Sequence, residues 1–391
     1  MTRQPFAADD VVAGEWDGLV VICGASAWEN IAAASSEMAK RIAPSTPVLF
    51  VDPPESHISM RRPGAAPSTV GPRLRLIGER LARLTPIVQP GIDRPALAAL
   101  TDLVIRRAMR RAVRHLAADV EVVIVDGHHA LFGACGERRA VVYATDDFVA
   151  GADLLGVRRD VLLRRRQRQA RDADLAVCIT DDLAKTWQSL GLETVVIPNG
   201  CVPELYADVD EAPLADDVDL EPPIAGFIGH ISERIDVALL EAVAATGHSL
   251  LLVGPRPATP GAHRLDALLA LPNVQWVSER PRAAMPSYLR WIDVGLTPYA
   301  DTPFNRASFP LKTLDYLAAG RAVVATGLPA TRWLDTDLVT IADEPAAFAD
   351  AVVAATQAPL TVEKVASRRA FAARHSWEQR CIDLKQHLGL S

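Results

Sequence analysis

Residues 308–326, SFPLKTLDYLAAGRAVVAT, combine a helical segment with a short apolar run. Leu311 to Ala319 has the apolar spacing of a helix, and Pro310 fixes the backbone where that helix would start. Arg321 to Thr326 follows at once and has the length and composition of a buried strand. A helix joined directly to a buried strand is part of a βαβ unit, so the stretch predicts an α/β protein with a mainly parallel sheet.

Other short apolar runs separate helical patterns along the whole chain. They form two series, one at 18–24, 47–51, 120–125, 140–143, 175–179 and 194–197, the other at 224–229, 249–254, 274–277 and 294–296. Between the series, residues 199–223 hold four prolines and many acids, which is typical of a linker. A long surface loop is the alternative. We predict an N-terminal domain at 1–198, a linker at 199–223 and a C-terminal domain at 224–374.

The composition narrows the class of protein. The 391 residues suit two domains, and 49% of them are hydrophobic. The five scattered cysteines favour a reducing compartment over a disulfide framework or zinc site. No apolar run reaches the ~18 residues of a membrane span, and the acidic N-terminus does not resemble a signal peptide. We therefore expect a cytoplasmic protein. The net charge of −7 and the lack of a recognised binding module argue against nucleic acid.

Anion-binding residues cluster where the strands of the second series end, the edge at which open α/β sheets bind ligands. Lys312 would lie in the first helical turn, where the helix dipole disfavours a cation, which indicates an anionic ligand. Asp315 follows on the same helix face and can accept both ribose hydroxyls. Arg234 could hold phosphate oxygens. The alternatives are surface ion pairs, Lys312 with Asp315 and Arg234 with Glu233 or Asp236. The remaining candidate donor-binding residues at this edge are Gly229, His230, Gly254, Tyr299 and Ser308.

Candidate reactive groups follow strands of the first series. Asp146 and Asp147 come after a buried strand, and mutual repulsion could raise the pKa of one of them to suit a general base. The alternative role for one of the two is a helix N-cap. His128 and His129 end another strand, where histidines are also often structural. We include His129 with the catalytic candidates and His128 with the acceptor-binding ones. Trp28 could stack on a sugar or belong to the core.

The motifs resemble those of GT-B glycosyltransferases, most closely family 4-like enzymes of the teichuronic-acid type and more distantly the xanthan-type glucuronosyltransferase. PLKTLDYLAAGRAVVAT (310–326) is similar to their donor-site signature. GFIGHISERID (226–236), VVYATDDF (141–148) and HSWEQR (375–380) occur in the family's order. The resemblance implies two Rossmann-like domains facing each other across a cleft, with acceptor bound by the first and donor by the second. It also implies that residues 375–391 cross back to the first domain.

The resemblance assigns roles to single residues. It implies that Asp315 binds the nucleotide ribose, that Arg234 contacts the donor diphosphate and that Lys312 faces phosphate or sugar. The Asp146–Asp147 segment would supply the base, by similarity to the xanthan-type enzyme. His230 stands where many members have arginine. Ala307 replaces a glutamate that contacts the donor sugar in retaining relatives, which leaves retaining and inverting chemistry both open.

The expected function is transfer of a sugar from a nucleotide-diphosphate donor, a UDP-sugar above all, to a glycan, lipid-linked or small-molecule acceptor. No metal or other cofactor is expected, and Asp335-Thr336-Asp337 is interpreted as a loop. A catalytically silent nucleotide-binding scaffold and a sugar-nucleotide 2-epimerase remain alternatives. Arginine clusters at 106–114 and 158–171 predict peripheral contact with an anionic membrane, at the inner face of the plasma membrane, or simply solvated helix faces.

Overall fold

A computed structural model describes residues 16–28, 34–56, 73–92, 94, 97–256, 263–309 and 311–390. The chain forms two compact units. The first contains residues 1–198 and 380–391, and the second contains residues 199–379. The predicted helix start at Pro310 lies outside the described residues. None of the helices in the described ranges is both long enough and apolar enough to cross a membrane.

The first unit is built on an eight-stranded sheet with the order β10-β9-β8-β7-β1-β2-β5-β4. Every neighbouring pair is parallel except β4 and β5. The strands are β1 Leu19–Cys23, β2 Val48–Val51, β4 Arg73–Gly78, β5 Leu81–Thr85, β7 Val120–Asp126, β8 Arg139–Ala144, β9 Leu175–Cys178 and β10 Thr194–Val196. β3 (Glu55–Ser56) and β6 (Ile87–Val88) form a separate pair. The helices are α1 Ala34–Ile42, α2 Ala98–His115, α3 Ala152–Leu155, α4 Arg159–Asp172 and α5 Asp181–Gln188.

Strands β4 and β5 were not predicted because charged residues interrupt their apolar pattern. Arg83 lies in the middle of β5, yet it is buried. Its Nε donates to Asp52 Oδ2 at 2.6 Å, and Thr85 Oγ1 donates to the same oxygen at 2.6 Å. A buried charge is tolerated when it is paired in this way, and such a partner 31 residues away is not visible in the local sequence.

The second unit is built on a six-stranded, fully parallel sheet with the order β13-β12-β11-β14-β15-β16. The strands are β11 Ile224–Ile228, β12 Ser249–Val253, β13 Val274–Val277, β14 Val294–Thr297, β15 Ala322–Ala325 and β16 Val339–Ile341. The helices are α6 Val237–Ala245, α7 His263–Leu269, α8 Met285–Trp291, α9 Pro303–Ala307, α10 Leu311–Ala318, α11 Pro329–Trp333, α12 Pro345–Gln357, α13 Val362–Arg374 and α14 Trp377–Leu388. The predicted α/β class with two Rossmann-like parallel sheets is confirmed.

The segment predicted as a linker packs on the second unit. Residues 199–223 contain a 3₁₀ turn at Pro203–Tyr206. Arg321 Nη2 donates to Asp210 Oδ1 at 2.7 Å, and Arg280 Nη2 donates to Asp217 Oδ2 at 2.6 Å. The acids that suggested a solvated linker are therefore partners of arginines in the sheet domain.

The return to the first unit begins later than the predicted residue 375. The backbone N of Cys201 donates to His375 O at 2.9 Å, and the backbone N of Trp377 donates to Cys201 O at 2.9 Å. These bonds hold the start of α14 within the second unit. The boundary between the second unit and the returning segment of the first unit lies inside α14, after Gln379.

Candidate active-site groups of the two units

Two glycines shape the carboxyl ends of β11 and β12. Gly229 has φ +151°, and a Cβ atom there would lie 1.9 Å from Lys312 Cε. Gly254 has φ +139°, and its Cβ would lie 2.2 Å from the carbonyl oxygen of Gly229. Glycine is therefore required at both positions, and its small size lets the Lys312 side chain lie directly against the backbone at the end of β11.

Lys312 is held at this edge by the packing of α10. Tyr316 Oη accepts a hydrogen bond from the backbone N of Ile228 at 2.8 Å, and the Lys312 ammonium lies 5.8 Å from the centre of the Phe227 ring. Within the described ranges no carboxylate is at ion-pair distance from Lys312. The alternative of an ion pair with Asp315 is therefore not observed, and the lysine presents an uncompensated charge at the strand ends.

Arg234 is a second cation at the same edge. Its Nε donates to Asn305 Oδ1 at 2.9 Å, and its guanidinium packs 4.9 Å from the Phe304 ring centre. The alternative partners Glu233 and Asp236 are not at ion-pair distance. Asp236 instead caps α6, accepting from the backbone N of Ala238 at 2.9 Å. No described carboxylate neutralises Arg234.

Tyr299 and Ser308, two of the predicted donor-binding residues, are both buried in the second unit. Tyr299 is only 8% exposed, because its ring packs between Phe227 and the Arg234 guanidinium. Ser308 is buried as well, and its hydroxyl donates to the Phe304 carbonyl at 3.0 Å. The role of both residues in donor binding stays a prediction.

The other predicted donor residues lie beside these cations. His230 is exposed and follows Gly229, and Ala307 is buried at the end of α9. Asp315 is half-buried on α10. Burial raises the pKa of the Tyr206 hydroxyl well above its usual range, and the Asp315 charge raises it further. Asp335-Thr336-Asp337 forms a loop after α11, as predicted. Among the described residues no group of three or more His, Cys, Asp or Glu side chains is arranged to hold a metal ion.

In the first unit, His129 belongs to a buried charged network at the end of β7. Its Nδ1 lies 2.7 Å from Asp102 Oδ1. Arg165 Nη2 donates to the same carboxylate at 3.0 Å, and Gln169 Nε2 donates to the His129 carbonyl at 3.0 Å. The network fixes both the position and the orientation of the imidazole.

The electrostatics of this network favour a neutral His129. Burial lowers the pKa of the imidazole, although Asp102 opposes that shift. Burial acts to raise the pKa of Asp102, but the hydrogen bond and charge of His129 and the charge of Arg165 lower it overall. A neutral ring beside a carboxylate donates from Nδ1, by inference from the hydrogen bond, and this leaves the Nε2 lone pair available as a base.

A pocket beside this network brings several of the predicted residues together. Its lining includes His128, Asp146, Asp147, Arg166 and Thr186. His128 stacks on His129 with ring centres 4.6 Å apart. Asp147 closes the turn that precedes α3, because its Oδ1 accepts from the backbone N of Val149 at 3.0 Å and of Ala150 at 3.1 Å. The N-cap of α3 itself is Gly151, so the predicted alternative of a helix N-cap is not observed at Asp147, whose Oδ1 also lies 3.5 Å from Arg166 Nη1.

A neighbouring carboxyl group, that of Asp126, has a raised pKa. It ends β7, is buried, and accepts from Thr145 Oγ1 at 2.6 Å. Burial raises its pKa to about 6, and the charge of Asp146 adds to the effect. The sequence did not predict this shift, because the burial of the last residue of β7 is not visible in the local pattern.

The raised pKa predicts a pH effect on stability. An acid with a folded pKa of about 6 and an unfolded value of 3.8 stabilises the fold below pH 3.8, and that stabilisation is lost as pH rises to about 6. The free energy of unfolding falls by about 3 kcal/mol over this range, since each pKa unit corresponds to about 1.36 kcal/mol. Asp126→Asn should therefore be more stable than the wild type at pH 7.5 and similar to it near pH 4. Urea unfolding at both pH values measures the difference, and an equal difference at both would contradict the assignment.

Trp28 has a packed environment. Its backbone N donates to Asp52 Oδ1 at 3.0 Å, and its ring meets Phe50 edge-on with centres 5.0 Å apart. Lys40 lies over the indole at 5.3 Å. The Trp28 side chain is half-buried. These contacts favour the alternative that Trp28 belongs to the core of the first unit.

The C-terminal unit matches a known family, and one curated relative aligns with part of the chain. Residues 222–357 match the family described as Glycosyl transferases group 1. A protein of Bacillus subtilis (strain 168), named as a teichuronic acid biosynthesis glycosyltransferase, TuaH, is 36% identical over 181 residues. That alignment covers 44% of this chain and 45% of the relative, so the chain spans about half the length of the relative it matches.

Solved structures match nearly the whole chain at low identity. Sucrose-phosphate synthase from Thermosynechococcus elongatus superposes with a TM-score of 0.71 at 15% identity, covering 94% of this chain and 98% of that one. A trehalose-6-phosphate structure from E. coli, bound with UDP-2-fluoro glucose, gives a TM-score of 0.70 at 12% identity, covering 95% and 98%. The chain thus has the GT-B fold, and its residues 222–357 match the family described as Glycosyl transferases group 1.

Proposed function

We propose that the protein is a glycosyltransferase that binds a nucleotide-diphosphate sugar through its second unit. The supporting observation is the pair of cations, Lys312 and Arg234, at the ligand-binding edge of the sheet without a described carboxylate partner. Charge-assisted hydrogen bonds from these groups to a diphosphate would supply the missing compensation. UDP is the expected nucleotide. The similar E. coli structure, which is bound with UDP-2-fluoro glucose, agrees with that choice.

Departure of the nucleoside diphosphate requires stabilisation of negative charge. Lys312 and Arg234 are placed to neutralise it, which is the electrostatic role that preorganised cations perform in transferases. The proposal therefore includes no metal or other cofactor. Asp315, one helical turn from Lys312 on α10, a helix that packs near the 3₁₀ turn at 203–206, is the proposed partner of the ribose hydroxyls.

The proposed acceptor side is the pocket of the first unit. His129 is the proposed base, because Asp102 orients it and leaves Nε2 free to accept a hydroxyl proton. Asp146 is the remaining carboxylate candidate in that pocket. The glycosyltransferase name of the Bacillus relative, with its role in teichuronic acid synthesis, favours a glycan or lipid-linked acceptor.

Contact with an anionic membrane is proposed through α2 rather than α4. The arginines of α4 are largely compensated: Arg164 pairs with Asp160, Arg168 with Asp172, and Arg165 is buried on Asp102. On α2, the exposed arginines 107, 110, 111 and 114 have no carboxylate at ion-pair distance in the described ranges. Leu100 and Leu103 on that helix are 44% and 59% exposed, as a membrane-surface helix requires.

Calorimetric titration with UDP, GDP, dTDP, ADP and CMP tests the donor site. We expect selective binding of one nucleoside diphosphate to the wild type. Asp315→Ala should weaken it by about 1–3 kcal/mol, because the ribose hydroxyls lose a charged acceptor. Asp266→Ala, at an exposed carboxylate of α7, is the control. Undiminished binding to Asp315→Ala would place the ribose elsewhere.

A further inference from the structure

A second pocket lies at the opposite edge of the second unit's sheet. Asp293, which precedes β14, and Ala322, which begins β15, both line it. It has roughly 1450 Å³ of space between its walls, part of it continuous with solvent. Because the proposed donor groups are at the carboxyl ends of the strands, this pocket at the amino ends is a separate feature. We call it the basic pocket.

The charged wall of the basic pocket consists of Arg321, Lys364 and Arg368. Arg321 is buried and compensated, since its Nη2 donates to Asp210 Oδ1 at 2.7 Å and its Nε donates to Leu289 O at 3.1 Å. Arg321 is therefore a structural residue of the pocket wall, and its charge is already paired within the fold.

Lys364 and Arg368 are not compensated in this way. Lys364 Nζ donates to the Pro359 carbonyl at 3.3 Å, and Arg368 Nη1 donates to the Gly320 carbonyl at 3.0 Å. Asp293 and Asp337 also line the pocket, but neither they nor any other described carboxylate is at ion-pair distance from these two cations. Partial burial lowers the pKa of Arg368, and the nearby Arg321 charge lowers it further.

Much of the remaining lining of the basic pocket is apolar. It is formed by the end of α12 and the turn that follows, with Ala351, Ala354, Ala355, Ala358, Pro359 and Leu360. Leu360 is 59% exposed at the pocket rim. The two cations thus share the pocket with a row of small apolar side chains, and Lys364 Nζ lies against the Pro359 carbonyl in that row.

We propose that the basic pocket binds a phosphate monoester that carries an apolar group. A phosphate monoester has a charge of −1.5 to −2 at pH 7, which matches the two uncompensated cations. Its oxygens would accept from Lys364 and Arg368, and its apolar group would pack on Ala355 and Leu360. The site is independent of the proposed donor site because the two lie at opposite edges of the sheet.

Calorimetric titration with hexyl phosphate, inorganic phosphate and hexanol tests this site on the full chain. We expect saturable binding of hexyl phosphate, weaker binding of inorganic phosphate and none of hexanol. Vesicles of phosphatidic acid in phosphatidylcholine form a further arm. If the protein binds the vesicles and the binding requires Lys364 and Arg368, the phosphate belongs to a lipid headgroup. If the protein binds hexyl phosphate but not the vesicles, the natural ligand is a free phosphate monoester.

The variants assign the binding to the pocket. Lys364→Gln/Arg368→Gln should bind hexyl phosphate at least about tenfold more weakly, since two charged donors are lost. Leu360→Asp should weaken it similarly by placing a carboxylate at the rim, and it removes no group that supports the fold. Arg264→Gln, at an exposed arginine of α7, is the control. No saturable binding, equal affinity for the two phosphates, or undiminished binding to both variants would overturn the proposal.

Discussion

Lys312→Ala is expected to weaken binding of the cognate nucleoside diphosphate by about 10- to 100-fold, the loss of one or two hydrogen bonds from a charged donor. Binding of the nucleoside itself should change little, because the Lys312 side chain lies against the backbone at Gly229 and the proposed ribose contact is Asp315. Calorimetric titration of UDP and uridine, or of the preferred pair from the panel, measures both affinities.

The matched comparisons are Arg234→Ala and Lys185→Ala. Arg234→Ala should show the same selective loss of diphosphate affinity, since its guanidinium is also uncompensated. Lys185 is an exposed lysine of the first unit that is paired with Asp182, so its removal should have no effect. If Lys312→Ala weakened nucleoside and diphosphate equally, the side chain would be acting through the fold of α10 and not on the phosphates.

His129→Ala is expected to lower the turnover rate by about 10²- to 10⁴-fold, the usual contribution of a general base, with little change in donor affinity. The reason is that Asp102 holds Nδ1 at 2.7 Å and leaves Nε2 as the available proton acceptor. Initial rates at saturating donor measure the loss. His115→Ala, at an exposed histidine of α2, is the control.

Asp102→Asn distinguishes orientation of His129 from simple support of the fold. The Asp102 charge raises the pKa of His129 against the effect of burial. Removing that charge should move the acidic limb of the rate profile to lower pH and reduce the limiting rate. A purely structural role would lower stability and leave the position of the limb unchanged.

The second sheet, and the position of Lys312 at the carboxyl ends of its strands, were predictable because their signals are local. Apolar runs bounded by glycine indicated β11 and β12, and the helical pattern after Pro310 placed Lys312 in the first turn of α10. Rossmann-type sheets are buried on both faces, so their strands give continuous apolar runs rather than alternation. The search for apolar runs did not identify β5, because Arg83 interrupts its apolar pattern. Arg83 can be buried there because it pairs with Asp52, which is distant in the sequence.

The charged network around His129 could not be derived from sequence in the same way. Asp102 lies 27 residues before His129, and Arg165 lies 63 residues after Asp102. The sequence predicts Arg165 as part of an exposed basic face. The spacing of residues along a helix does not show which side of α4 packs against the rest of the unit. Only the packing of α2 and α4 against the end of β7 reveals that one arginine is buried on a carboxylate.

The central claim is that the protein breaks the sugar–phosphate bond of a nucleotide sugar. Incubation with UDP-glucose and a panel of other nucleotide sugars, without acceptor and followed by NMR, tests it directly. We expect slow release of nucleoside diphosphate and free sugar from one donor, lost in Lys312→Ala and in His129→Ala. Tight binding with no release would indicate a nucleotide-binding scaffold, and inversion at the sugar C2 with the bond retained would indicate an epimerase; either result would contradict the proposed transfer reaction.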